Sequence, residues 1–292
     1  MNQNNDRLDK KRVEDILSQI KGLHKMVIDE EYGKLNLIDY ACQEKYIRIC
    51  NDKFRAVSLK DGSPLCGFAN TGAKKINTIA KHFEEANHLE SLKPEVWVEK
   101  EERRVQAWLI KQALINNRDL LKPLGMINTD FKELLFALDE IPLGSDNNIR
   151  IDKENRPIKF VRCDILAIGS IDGCYFPVQI ELKYDRARKR LIEQFDNFEY
   201  EVNQNEDIQN IFNKLLKASV RRKNIKLQKK IRKIIVWPAA ASEKTISELH
   251  EKEICVIEYK CSDKNKKHEK HENCSNYKNI EKWIFSIRKP SA

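Results

Sequence analysis

No apolar run in the 292-residue chain approaches the length needed to cross a bilayer. The opening residues, Met1-Asn2-Gln3-Asn4-Asn5-Asp6, lack the apolar core of a signal peptide. Together these absences lead us to expect a cytoplasmic chain with no membrane partner. Eight cysteines are scattered along the chain, which argues against a disulfide scaffold. Cys42, Cys50, Cys163 and Cys255 sit among apolar residues and read as buried thiols. There is no Walker A sequence, so hydrolysis of nucleoside triphosphates is not expected. There is also no Gly-x-Ser-x-Gly and no His-Glu-x-x-His, so the corresponding serine hydrolases and zinc proteases drop out.

What remains is a globular composition, 41% hydrophobic and 34% charged, with a net charge of +9. The segment Lys217 to Lys233 holds nine Lys/Arg and no acid, so it alone equals the whole excess. Concentrated positive charge suits a phosphate backbone, although a solvated helix end has the same composition. Arg221, Arg222 and Lys223 lie within it. Arg186, Arg188, Lys189 and Arg190 form a second basic cluster. Both are candidate nucleic-acid contacts.

The most informative stretch lies between these features and the middle of the chain. Phe160 to Ile168 and Tyr175 to Leu182 are rich in β-branched and apolar residues, and Ile171-Asp172-Gly173-Cys174 joins them. Asp-Gly between two apolar runs signals a hairpin, because a type I′ turn needs positive φ at both central residues. With Asp172 and Gly173 as the loop, Ile171 faces Cys174, and counting outward sets Asp164 opposite Glu181. Directly opposed side chains have Cβ atoms roughly 5 Å apart. Strand side chains alternate, so Lys183 projects on the side of Glu181. A four-residue loop on the same centre keeps this register, whereas a three-residue loop puts Asp164 on the wrong side.

Two carboxylates this close repel each other, and a divalent cation relieves the repulsion. Hard cations such as Mg²⁺, or Mn²⁺, suit oxygen ligands. Asp164 and Glu181 are therefore the candidate metal ligands, with Lys183 beside them to orient water or neutralise developing negative charge. Such a constellation suits metal-assisted phosphodiester hydrolysis. The competing reading is a surface hairpin with an acidic pair and a solvated lysine. The apolar neighbours argue against full exposure.

The flanking segments complete an α/β order. Val98 to Asn116 reads as a helix with Val105, Leu109, Ala113 and Leu114 on its apolar side. Arg186 to about Lys217 reads as a long helix with a core stripe of Ala187, Leu191, Phe195, Phe198 and Val202, and with Gln194 at the stripe's edge. Ile231 to Pro238 is a buried-strand candidate. Ser242 to Glu251 reads as a helix with Ser242 as N-cap, and Ile254 to Tyr259 as a further strand.

This order, with Asp164 and Glu181-Leu182-Lys183, resembles the PD-(D/E)xK nuclease superfamily over roughly residues 95 to 260. The resemblance implies a restriction-endonuclease-like core, a mixed central sheet flanked by helices. It also implies a Mg²⁺-dependent nuclease, an endonuclease acting on DNA in restriction, phage defence or repair. In the family a glutamate on the first core helix often joins the metal site. The segment Glu102-Arg103-Arg104-Val105-Gln106-Ala107-Trp108-Leu109-Ile110 looks like that helix, so Glu102 is a candidate, with Glu101 as its competitor. Gln194 matches a glutamine many members carry on the helix after the lysine strand. Leu182 would offer its backbone carbonyl to the metal. The proline of the family name is Cys163 here. Many relatives cut both strands as dimers, which raises a homodimer, although nothing in the sequence marks its surface. An RNA substrate stays open. So does a catalytically inactive nucleic-acid-binding or scaffold protein on the same fold, although an intact Asp/Glu/Lys set counts against it.

Residues 1–93 read as a separate α+β accessory module and 94–292 as the nuclease domain, with Lys93-Pro94 as the boundary. In the module, Leu8 to Met26 and Thr71 to His88 have helical patterns. Lys45 to Leu59 resembles a hairpin around Asn51-Asp52, and Asp61-Gly62-Ser63-Pro64 is a turn. Near the C-terminus Cys261, His268, His271 and Cys274 are zinc-capable residues at a spacing that matches no standard finger, in a charged, loop-like stretch. Trp283, Ile284, Phe285 and Ile287 read as a final strand.

Overall fold

The computed structural model describes residues 24–32, 35–42, 45–50, 53–63, 74–75, 101–127, 129–143, 150–151, 157–158, 161–183, 188–204, 209, 213, 227–239, 242–261 and 279–289. The chain divides into two compact units, Met1–Lys111 and Gln112–Ala292. The boundary expected after Lys93 falls outside the described residues. Among the described residues no helix is long and apolar enough to cross a membrane.

The first unit carries an antiparallel sheet in the order β1 (His24–Tyr32), β2 (Leu35–Cys42), β3 (Lys45–Cys50), β4 (Lys53–Ser58) and β5 (Lys74–Lys75). The hairpin expected around Asn51-Asp52 is present, with Cys50 opposite Lys53 and the buried pair Tyr46 and Val57 opposite each other. Two helical expectations fail where they can be checked. His24, Lys25 and Met26 are strand residues paired with Ala41, Tyr40 and Asp39. Lys74 and Lys75 pair with Phe54 and Lys53. In both places sheet pairing overrides a local helical pattern. The rest of both segments lies outside the described residues. The unit also holds most of helix α1 (Glu101–Ile115), on which Val105, Leu109 and Ala113 are buried as expected and Leu114 is half-buried.

In the second unit the strands are β6 (Glu133–Leu143), β7 (Arg150–Ile151), β8 (Pro157–Ile158), β9 (Val161–Ile171), β10 (Cys174–Leu182), β11 (Arg232–Pro238), β12 (Ile254–Cys261) and β13 (Trp283–Arg288). Two helices intervene, α2 (Arg188–Gln204) and α3 (Glu243–Glu251). Apart from the short β7–β8 pair, the strands form one mixed sheet in the order β13-β12-β11-β10-β9-β6. The fold class is therefore α/β. β10 runs parallel to β11, and β11 parallel to β12. Parallel neighbours need crossover connections, and α2 and α3 lie in those two crossovers. Leu191 and Phe195 of α2, Ile246 and Leu249 of α3, and Ile235, Trp237, Ile254 and Val256 of the strands form one buried cluster. Phe198 and Val202 complete the expected stripe on α2, and Ala187 lies outside the described residues. Ile234 and Val236, which alternate to the other face of β11, are buried too. A strand covered on both faces reads as an unbroken apolar run, as Ile234 to Trp237 does. Ser242 caps α3 as expected, its Oγ accepting the Thr245 N–H at 3.3 Å.

Strand β6 was not anticipated. Leu134 to Leu138 is a continuous apolar run without alternation, which does not distinguish strand from helix. A bulge between Phe136 and Leu138 breaks its ladder with β9. Buried Arg118 meets that bulge, donating from Nη1 to the carbonyls of Phe136 and Ala137 at 3.1 and 3.4 Å. The neighbouring backbone pairs with the outer edge of β6 through Leu120 N–H to Leu134 O at 2.8 Å. Five residues on, Gly125 (φ +67°) passes so close to the Phe285 carbonyl of β13 that a Cβ there would collide with it. Five residues reach at most about 18 Å, whereas the edges of a flat six-stranded sheet stand about 24 Å apart. The sheet therefore curls, bringing its two edges within reach of one short turn.

Candidate active site

The β9–β10 hairpin has the two-residue Asp172-Gly173 loop, with φ of 50° and 77°. A Cβ at Gly173 would meet nothing within 4 Å, so positive φ, rather than space, is what favours glycine there. Ile171 pairs with Cys174, and the ladder runs in register to Ile165 opposite Ile180. The next step sets Asp164 opposite Glu181. There the regular ladder gives way to side chains: Asp164 Oδ2 accepts the Leu182 N–H at 2.8 Å. Lys183 continues the pairing with β11, its N–H donating to Val236 O at 3.0 Å.

Asp164, Glu181 and Lys183 meet at this end. Lys183 Nζ lies 3.0 Å from Glu181 Oε2 and 3.6 Å from Asp164 Oδ2. The side chain of Glu181 is only 1% exposed, against 30% for Asp164 and 19% for Lys183. Burial first, and then the charge of Asp164, pushes the Glu181 carboxyl up to about 8, against the opposing pull of Lys183 and Gln179. Glu181 pairs in register with Ile235 of β11 and Gln179 with Lys233. The site therefore lies on the sheet face that carries Ile235 and Trp237, the face packed by α2. Lys233 there is tied to Glu199 of α2 at 2.7 Å and to Asp196 at 3.7 Å.

Gln179 was not singled out from the sequence. It is fully buried and donates from Nε2 to Glu181 Oε1 at 2.9 Å. The signal available was a single amide two residues before Glu181, inside the otherwise apolar run Tyr175 to Ile180. Glu140 was missed with its strand. It stands on β6 between Asp139, which pairs with Ile165, and Ile141, which pairs with Cys163, and so occupies the register position opposite Asp164 of β9.

The remaining candidates are placed differently. Glu102 is half-buried in the first turn of α1, in the first compact unit, and its neighbour Glu101 is buried. Gln194 is half-buried on α2. Arg188, Lys189 and Arg190 open α2, while Arg186, Arg221, Arg222 and Lys223 lie outside the described residues. Cys163, at the place of the family's proline, is buried on the opposite sheet face and donates its thiol to Ile165 O at 2.8 Å. Burial, and then the charges of Glu181 and Asp164, raise its pKa well above the usual thiol range, so it stays protonated. Cys255 is also free, its thiol pushed up to about 11 by burial. Cys42 and Cys50 are strand residues whose side chains lie outside the description. Cys261 ends β12, and His268, His271 and Cys274 lie outside the described residues.

The donor set suits a hard divalent cation. Two carboxylates converge, one of them buried and held above its ordinary pKa partly by its neighbour's charge, and added positive charge would relieve that strain. Among the described residues there is no group of three or more His, Cys, Asp or Glu placed to hold a metal ion. A cation here would rest on Asp164, Glu181 and a backbone carbonyl such as that of Leu182. In comparisons with known proteins, no family model matches the chain, and no curated protein or solved structure matches it.

Proposed function

We propose that this chain is a Mg²⁺- or Mn²⁺-dependent nuclease with a restriction-endonuclease-like core, an endonuclease that hydrolyses phosphodiester bonds in DNA. The carrying observation is the convergence of Asp164, Glu181 and Lys183 at the open end of one hairpin, with Nζ 3.0 and 3.6 Å from the two carboxylates. The chain order supports the reading: the hairpin is followed by a helix, a parallel strand, a second helix and another parallel strand. Roles in restriction, phage defence or repair are all compatible with it.

In this reading Asp164 and Glu181 hold the cation with the Leu182 carbonyl. When bound, the cation supplies a more acidic water and charge stabilisation at the phosphoryl oxygens. Lys183 is half-buried and rooted by its backbone in the β11 ladder, so its ammonium can reach a scissile phosphate without losing its place. There it would stabilise developing negative charge or orient the attacking water. Gln194 is proposed to support the site. Arg186, Arg188, Lys189, Arg190, Arg221, Arg222 and Lys223 are proposed to contact the DNA backbone, with salt-sensitive affinity.

A second reading has its own observation. The Lys183 ammonium already neutralises the carboxylate pair, as it would in a silent nucleic-acid-binding protein. A panel of supercoiled, linear and single-stranded DNA and RNA, incubated with Mg²⁺, Mn²⁺ or EDTA, separates the two. Metal-dependent cleavage supports the nuclease and names its substrate. Salt-sensitive binding with no cleavage under any condition supports the silent protein.

A further inference from the structure

We propose that Gln179 is a positioning residue of this site, whose amide holds Glu181 oriented to take up a divalent cation. This rests on the nuclease reading and adds a residue to it. Gln179 stands two residues before Glu181 on β10 and so shares its sheet face. The amide presents its nitrogen to Glu181, 2.9 Å from Oε1, the donor that a metal-binding carboxylate can accept. That choice leaves Gln179 Oε1 buried with no hydrogen-bond partner among the described residues. A buried acceptor left unpaired is destabilising. Its neighbours in the sheet offer no compensation: Leu166 is its partner on β9, and Lys233, its partner on β11, is engaged by α2. Stability alone would favour an apolar side chain at this position.

The chemistry of Glu181 supplies the reason to keep the amide. Its two oxygens are divided, Oε1 to Gln179 and Oε2 to Lys183. The Lys183 ammonium is partly exposed, on the solvent side of the pair. Gln179 is fully buried. Gln179 therefore keeps Oε1 fixed while Oε2 changes partner. Hydrogen-bond partners of ligating side chains commonly change metal affinity by about 10–100-fold.

The test compares wild type with Gln179→Met, which keeps the length and removes the donor. Calorimetric titration with Mn²⁺ should show binding about 10–100-fold weaker in the variant. A folded variant with unchanged affinity overturns the proposal. If the variant does not fold, the wild-type side-chain amide resonance of Gln179 carries the test. It should move on adding Mg²⁺, and a resonance indifferent to Mg²⁺ overturns the proposal. Wild type that binds neither Mn²⁺ nor Mg²⁺ overturns the nuclease reading itself.

Discussion

At its closed end the β9–β10 hairpin turns on Asp172 and Gly173, both exposed and both at positive φ, the conformation that Asp-Gly favours. At its open end the same two strands bury Glu181 and Gln179 beside Asp164 and Lys183. The closed end follows local preference throughout. The open end goes against it, with a carboxylate driven toward protonation by its surroundings and an amide left half satisfied. Natural folds depart from local consistency mostly where function requires it. The rigid turn and the apolar cluster under α2 and α3 supply the stability that lets the open end remain strained.

Four substitutions can break or sharpen this contrast. The largest effect is expected at the open end. Asp164→Asn should lower the rate of Mg²⁺-dependent DNA cleavage by about 10²–10³-fold or more, with the fold retained by circular dichroism. A rate within a few-fold of wild type would show that Asp164 is not part of the chemistry. In the supporting cluster, Trp237→Ala should destabilise by about 3–5 kcal/mol in urea unfolding, since Trp237 is fully buried between strand and helices.

Glu181→Gln should act with a definite sign. The folded chain keeps a proton on Glu181 up to about 8, whereas the unfolded chain releases it near the ordinary 4.5. The folded state thus binds more protons between these values, so without divalent cations stability falls as pH rises through the window. The slope from this one group is at most about 1.4 kcal/mol per pH unit. Urea unfolding at a series of pH values should show this slope in wild type and lose it in Glu181→Gln. Saturating Mg²⁺ should offset the loss in wild type alone. The smallest effect belongs to the closed end. Gly173→Ala should cost about 1 kcal/mol, because positive φ is strained for alanine while no atom obstructs its methyl group.

The same contrast explains how much could be read from the chain. The turn was legible because Asp-Gly between apolar runs admits few geometries, and the turn then carried Asp164 and Glu181 into register by counting. The α2 stripe and the Ser242 cap were legible for similarly local reasons. β6 was not, because Leu134 to Leu138 has no period and its bulge depends on Arg118, a residue distant in sequence. The strand pairing of His24 to Met26 was hidden because partners on β2 decide it. Gln179 escaped because its meaning comes from the burial of both its own amide and the carboxylate it holds. One sequence displays neither.

The most direct test is cleavage of supercoiled DNA by wild type and Lys183→Ala, side by side, with Mg²⁺ and with EDTA. The account predicts nicking or linearisation by wild type that EDTA stops and that the substitution abolishes, while the folded variant still binds DNA. Cleavage by Lys183→Ala at the wild-type rate, or cleavage indifferent to EDTA, would contradict it.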